Sequence, residues 1–415
     1  TDGINSSYYT RVVRSDKKRE GLLYAGTEWG MYISFDDGNS WSKFQLNLPV
    51  TSIRDLEVKD NDLVVATHGR SFWIIDDLTP LHQLNHDNHD DDAILFKPDL
   101  SYRMAQSGRS SRPNNLLSGQ NHPNGVIINY YIKNLKDDDY LKIDIENKDG
   151  SVIRSFTNNK GEYSQIENND NKMVGNPVLS NPNDIDNALS SNNLGSLSPK
   201  SGGNRLIWDM RYPGFKSFEG MVLYSSPNVG PKVTPGKYNI KMTYNNQVLQ
   251  KEFEIVKDPR VKISQTDYEA QLEFLIKVRD EVSRANNTII EIRNIKDNMN
   301  FILEKTTNNI DLQEMVNKYL TDISIIENNI HMTKNQSRQD PLNYGIRINN
   351  RIAFLLADSQ RGDYPPTDQS QEFFIQVKRE LDAEILRLND IIKEHTKKIK
   401  GYLEQNKINL ISLNN

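Results

Sequence analysis

The sequence predicts a multidomain β + α chain, in which units of short strands precede an antiparallel helical bundle. Two periodicities and two breaks carry this. Short apolar runs with a period near two recur as far as Val256. From Tyr268 onward the apolar residues recur at spacings of three and four. Polar stretches rich in Asn, Ser, Gly and Pro at 82–122 and 158–203 interrupt the β part. At 415 residues the chain is also too long for one ordinary core. Mean hydropathy of -0.70 is low for a compact enzyme, which assigns part of the length to linker and solvated helix surface.

Residues 1–81 hold the first strands. Leu22–Thr27 and Met31–Ser34 are followed by a turn and by Trp41–Phe44. Ile53–Val58, Asp62–Thr67 and Phe72–Ile75 come next. Strands this short and this closely spaced fit a propeller blade or a sandwich. Ser34-Phe35-Asp36-Asp37-Gly38-Asn39-Ser40-Trp41 matches Ser-x-Asp-x-Gly-x-x-Trp, the Asp-box. The spacing has a physical basis. Asp36 folds back on turn amides, Gly38 supplies a positive φ, and Trp41 is expected to bury beneath the hairpin. Such a box stabilises a turn, so Ser34, Asp36, Gly38 and Trp41 are assigned a structural role.

Residues 82–122 read as a linker. His82, His86 and His89 stand among Asp87, Asp90, Asp91 and Asp92. Their spacing matches no EF-hand or zinc pattern, and a solvated loop is expected, with a divalent-cation site as the alternative. Arg103, Arg109 and Arg112 follow among polar residues. Residues 123–257 read as a β-sandwich with a mobile insertion at 158–203. Val126–Ile132, Leu141–Ile145, Val152–Phe156, Asn204–Tyr212, Tyr238–Met242 and Leu249–Val256 are its strands. Trp208, Asp209 and Arg211 admit two readings. One is a carbohydrate platform with polar clamps. The other places Trp208 in the core and pairs Asp209 with Arg211 at a seam between domains, and the apolar neighbours of Trp208 favour it.

Residues 258–410 read as helical. Thr266 to Glu269 is taken as a capping box. Tyr268, Leu272, Leu275, Val278 and Val282 form one stripe, and Leu312, Val316, Tyr319, Ile323, Ile326 and Ile330 form another. Pro341–Tyr344 opens a third helix through Ile348, Ile352 and Leu355, and Thr367 caps the last after Pro365-Pro366. His395 lies on the apolar face of that last helix, where a lone imidazole cannot hold a metal.

Composition excludes several functions. With a net charge of -5 there is no basic field for a nucleic-acid backbone. No apolar run approaches the length of a membrane span. The absence of cysteine removes thiolate metal sites, a cysteine nucleophile and disulfides. No nucleophile–base–orienter set, P-loop or dinucleotide fingerprint is visible, and no catalytic residue, metal site or cofactor is assigned. Arg70, Asp76, Asp77, Trp208 and Arg211 are the residues named as ligand-facing candidates. Asp76 and Asp77 are the carboxylates considered for glycosidase chemistry, which needs two across a cleft.

The run Leu22 to Trp41 and the run Ala66-Thr67-His68-Gly69-Arg70-Ser71-Phe72-Trp73-Ile74-Ile75-Asp76-Asp77-Leu78 resemble the closing blades of bacterial Asp-box (BNR-type) β-propeller proteins of the sialidase/sortilin-like "glycosyl hydrolase" family. Trp208-Asp209-Met210-Arg211-Tyr212-Pro213 and Gly230-Pro231 with Pro235-Gly236-x-Tyr238 are similar to motifs of the same family. The resemblance implies terminal propeller blades, an Ig-like sandwich and a helical C-terminal domain. It departs from true sortilins, whose Cys-rich module needs cysteine. It departs from a complete propeller too, because about 80 residues hold one or two blades and closure takes at least four. Thr1-Asp2-Gly3 shows no initiating Met and no signal pattern, so the chain is read as a fragment whose export signal and other blades lie upstream. The expected role is an extracellular, cell-surface or periplasmic binding or scaffold module with a carbohydrate or protein ligand. Two alternatives stand beside it: the end of a glycoside hydrolase whose catalytic blades lie upstream, and an accessory subunit of an outer-membrane or secretion assembly.

Overall fold

The computed structural model describes residues 2–84, 91–104, 123–162, 196–337 and 339–408. The molecule is mixed β and α, with almost wholly antiparallel sheets followed by a helical C-terminal region. His86, His89, Asp90, Arg109 and Arg112 and most of the expected insertion lie outside the described residues.

Seven strands come first: β1 Thr10–Ser15, β2 Leu23–Thr27, β3 Gly30–Ser34, β4 Ser42–Lys43, β5 Ile53–Lys59, β6 Asp62–Thr67 and β7 Phe72–Ile75. They form two meanders, a four-stranded sheet in the order β1-β2-β3-β4 and a three-stranded sheet in the order β5-β6-β7. Both sheets feed one core, in which Val12, Leu22, Tyr24, Met31 and Ile33 meet Ile53, Leu56, Val58, Leu63 and Val65. The approach is close at Gly26, where an added Cβ would come within 2.9 Å of Val12 and nearer still to Ile53. A short helix, α1 Thr79–Gln83, follows with proline in its first turn.

The second β unit contains β8 Ala93–Leu95, β9 Ser101–Arg103, β10 Val126–Ile132, β11 Leu141–Glu146, β12 Val152–Thr157, β13 Gly202–Trp208, β14 Gly236–Tyr244 and β15 Gln247–Lys257. Its sheets run β13-β10-β8 and β12-β11-β14-β15-β9 and share one core. The 82–122 stretch is therefore not a linker throughout. β8 pairs antiparallel with β10, and β9 pairs parallel with β15. Both strands are three residues long, too short to show a period, and their partners are remote in sequence.

β10 is buried along nearly its whole length. Val126, Ile128, Tyr130 and Ile132 enter the shared core. On the opposite face the Asn129 amide donates to Asp77 Oδ2 at 2.9 Å, so the first β unit sits against that side.

The helices are α2 Gln265–Lys305, α3 Ile310–Ile330, α4 Pro341–Tyr344, α5 Ile348–Ser359 and α6 Asp368–Gln405. α2 packs on α5 and α3, and α6 closes against α3 and α5. The predicted α3 stripe is buried in full, from Leu312 to Ile330. Two local expectations change. The capping box belongs to Ser264, not Thr266: the Ser264 hydroxyl accepts from the Asp267 N–H, and Asp267 accepts from the Ser264 N–H, each at 3.1 Å. The expected third helix is two, because Gly345 at φ 74 ends α4 before α5 begins. Thr367 does cap α6, accepting from the Ser370 N–H at 3.2 Å.

The bundle core is not made by helices alone. Phe215, Phe218 and Met221, from the segment after β13, are buried in the same cluster as Val282, Ile326 and Ile352.

Candidate functional site

The turn from Ser34 to Trp41 closes on itself. The Ser34 hydroxyl donates to Asp36 Oδ1 at 2.8 Å and accepts from the Gly38 N–H at 2.9 Å. The Ser40 N–H and hydroxyl both donate to the Asp36 carboxylate, at 2.9 and 2.6 Å. These bonds, the Ser40 hydroxyl first, hold the Asp36 pKa down to about 2. Asp37 and Gly38 carry positive φ values of 57 and 85. The Trp41 ring is half-buried where full burial was expected, because it lies along the turn and its indole N–H donates to the Gly38 carbonyl at 3.1 Å.

The β6–β7 turn repeats this chemistry without the acid. The Thr67 hydroxyl accepts from the Arg70 N–H at 3.1 Å, and the Trp73 indole N–H donates to the Arg70 carbonyl at 2.9 Å. Arg70 is exposed at the tip of this turn. Asp76 and Asp77 lie at the other end of β7, roughly 13 Å away along four residues of strand. Asp77, at φ 69, has its carboxylate filled. Oδ1 accepts from the Asn61 amide and the Thr79 N–H, both at 3.0 Å, and Oδ2 accepts from Asn129. It ties α1 and the β6 hairpin to β10, a fastening role.

The two motifs of the second β unit pair with each other. Arg211 forms an antiparallel bridge with Lys232. The Tyr212 N–H donates to the Pro231 carbonyl at 2.9 Å, and the Val233 N–H donates to the Met210 carbonyl at 2.8 Å. Gly230 is required there, since an added Cβ would overlap the Tyr212 carbonyl. Trp208 is 1% exposed, with Tyr238 and Phe253 edge-on to its ring at 6.3 and 6.2 Å. It is a core residue, and no face is open for a sugar. Arg211 Nη1 donates to the Gly230 carbonyl at 2.6 Å and to Gln360 Oε1, just beyond α5, at 2.9 Å. Arg211 thus lies at the seam with the helices, while Asp209 is exposed and influences it through charge.

The five ligand-facing candidates are therefore spread over three places: Arg70 at one turn, Asp76 and Asp77 at the far end of β7, and Trp208 with Arg211 in the second unit. Among the histidines, His82 Nε2 lies 3.0 Å from Asp16, and His395 stacks flat on Tyr319 at 4.9 Å with Nε2 2.9 Å from Asp322. Among the described residues no group of three His, Cys, Asp or Glu is arranged to hold a metal ion.

Two polar clusters escaped the sequence reading. At the seam, Arg103 of β9 stacks 4.4 Å over Tyr268 and lies 3.2 Å from Asp363. Inside the helical region the Asn349 amide donates to Asn286 Oδ1 at 3.1 Å and to His331 Nδ1 at 3.2 Å. Burial, with Arg293 nearby, lowers the His331 pKa to about 4. Neither cluster has a local signal, because each joins residues that only folding brings together.

No family model and no curated protein matches the chain. One solved structure, described as the extracellular domain of a one-component system from B. thetaiotaomicron, aligns at 10% identity with a TM-score of 0.15. The alignment covers 61% of this chain and 26% of that one, and at this TM-score the likeness carries no argument about fold or function.

Proposed function

We propose that the chain is the C-terminal part of an extracellular or cell-surface protein and serves there as a binding or scaffold module. In this reading the two N-terminal meanders are the last blades of an Asp-box propeller, the two-sheet unit is Ig-like, and the helical bundle braces it. One observation carries the reading. Asp77, Trp208 and Arg211, three of the five ligand-facing candidates, are engaged in the fold, while large apolar side chains of the first β unit face outward. Tyr9 and Phe72 are each 73% exposed, and Trp29, Leu46 and Ile74 are more than half exposed. Phe72 and Ile74, two residues apart on β7, share one face of that strand, and a contiguous exposed apolar face of this kind marks an interaction site. The sheets differ in a matching way. β4 ends its sheet with only two residues, whereas β7 ends its sheet with Phe72 and Ile74 exposed. Upstream blades of the same precursor are the partner that fits a sheet stack cut open.

The reading is tested by expressing the upstream part of the precursor separately and mixing it with this chain. The expected result is a stable complex that Phe72→Thr/Ile74→Thr weakens without lowering the melting temperature of this chain. Failure to associate, with the chain monodisperse and binding no apolar dye, sinks the proposal. A parallel assay on aryl-glycosides and polysaccharides separates the enzymatic alternative. Turnover by this chain abolished by Asp76→Asn or Asp77→Asn contradicts a non-catalytic module.

A further inference from the structure

Three cations meet at the seam between the second β unit and the helices. Arg103 is 4% exposed. Its Nη2 donates to Gln271 Oε1 at 3.3 Å and faces Asp363. Stacking on Tyr268 covers the flat face of the guanidinium, but the N–H bonds lie in its plane. Those on Nε and Nη1 have no partner among the described residues. Lys232 Nζ donates to the Met104 carbonyl at 2.8 Å, next to Arg103 in sequence. Arg211, bridged to Lys232, donates to the Gly230 carbonyl and Gln360. The hydrogen-bond acceptors of Lys232 and Arg211 are thus neutral. Asp363 is already engaged by Arg103 and by the Tyr268 hydroxyl at 3.2 Å. Gln271 also reaches the Ser359 carbonyl at 3.2 Å, and the Ser359 hydroxyl there is buried without a partner.

Buried cations are normally paired, because desolvation of an isolated charge is costly. Here three cations face Asp363 and the exposed Asp209. The unpartnered Arg103 groups are donors only, and the Ser359 hydroxyl can donate beside them. A water would satisfy hydrogen bonds but bring no countercharge, whereas an anion brings acceptors and countercharge together. Burial first, and then Arg211 and Arg103 nearby, lowers the Lys232 pKa to about 8.

We propose that this seam binds a small oxyanion, a carboxylate or an inorganic sulfate- or phosphate-type ion, received by Arg103 Nε and Nη1 with Lys232 and Arg211 supplying charge. The site is independent of the propeller reading and ties the β unit to the helices through a bound ion. The experiment measures the melting temperature of the whole chain while sodium acetate, sulfate or phosphate replaces sodium chloride at constant ionic strength. The expected result is a saturable rise with at least one of them, and the effective anion tells a carboxylate from an inorganic oxyanion. Lys232→Gln should raise the midpoint concentration about tenfold or more, as loss of a charged hydrogen-bond donor does. Lys237→Gln, an exposed lysine on β14, should leave it unchanged. Arg103→Lys should weaken binding likewise, and where that buried variant does not fold, Arg211→Gln is used with the same weakening expected. A rise that never saturates, an equal rise in Lys232→Gln, or no rise with any of the three anions overturns the proposal. So does a crystal structure in sulfate with water alone between Arg103 and Ser359.

Discussion

Trp208 and Trp41 both close a turn through the indole N–H, donating to a carbonyl three residues away, and they differ in what surrounds the ring. The Trp208 ring is enclosed by Tyr238 and Phe253, while the Trp41 ring keeps one side toward solvent. Trp208→Ala should therefore cost about 3–5 kcal/mol, as removal of a fully buried aromatic does, and Trp41→Ala roughly half of that. Denaturant melts of the two variants check this, and equal losses would mean that the Ser34–Trp41 turn is as deeply packed as the core. His331 makes a second prediction at this scale. Its Nδ1 accepts from Asn349, Phe218 lies edge-on at 4.9 Å, and Arg293 and Glu327 are the charged groups facing it. With the folded pKa lowered from 6.5 to about 4, the unfolded chain takes up the proton first. Stability is then full above pH 6.5 and falls as pH drops toward 4, by up to about 3 kcal/mol. Thermal melts of wild type and His331→Gln across that window should show the slope in the first and a flatter profile in the second.

At the scale of elements, the helices and most strands were legible because their signals are local. The α3 stripe needs no knowledge of its partner, and the Thr367 cap is set within three residues. Ser264 was missed as a cap because Thr266 offers a similar hydroxyl two residues later, and the backbone turns helical before it. Ser264→Ala should cost about 1 kcal/mol, read from the shift in the urea midpoint, and Thr266→Ala close to nothing. Equal effects would place the helix start later than the structure does. β5 shows why strand patterns blur. Its pairing register shifts between Ile53 and Asp55, so two exposed residues separate Ile53 from Leu56 in place of strict alternation. β8 and β9 were unreadable for a different reason. Three residues carry no period, and their place in the sheets depends on β10 and β15.

The whole molecule is held together by segments that cross between units. Asp77 fastens the first unit to Asn129, and Phe215, Phe218 and Met221 carry part of the second unit into the helical core. The helical region is therefore not a detachable appendage. A chain ending at Lys257 should expose these side chains, bind apolar dye and lose cooperative melting. Phe215→Ala in the whole chain should cost about 3–5 kcal/mol. A truncated chain that melts at the temperature of the whole would show that the second β unit is independent of its helices.

The sequence by itself determined what neighbouring residues decide: two kinds of periodicity, the helix cap at Thr367 and the hydrogen-bond pattern of the Ser34–Trp41 turn, all of which act within a few residues along the chain. Folding settled the rest. It buried Arg103 by laying β9 beside β15, set Arg211 against Lys232, and joined Asn286, His331 and Asn349. These contacts depend on desolvation and on closing long loops, and neither quantity is written in any short stretch of residues.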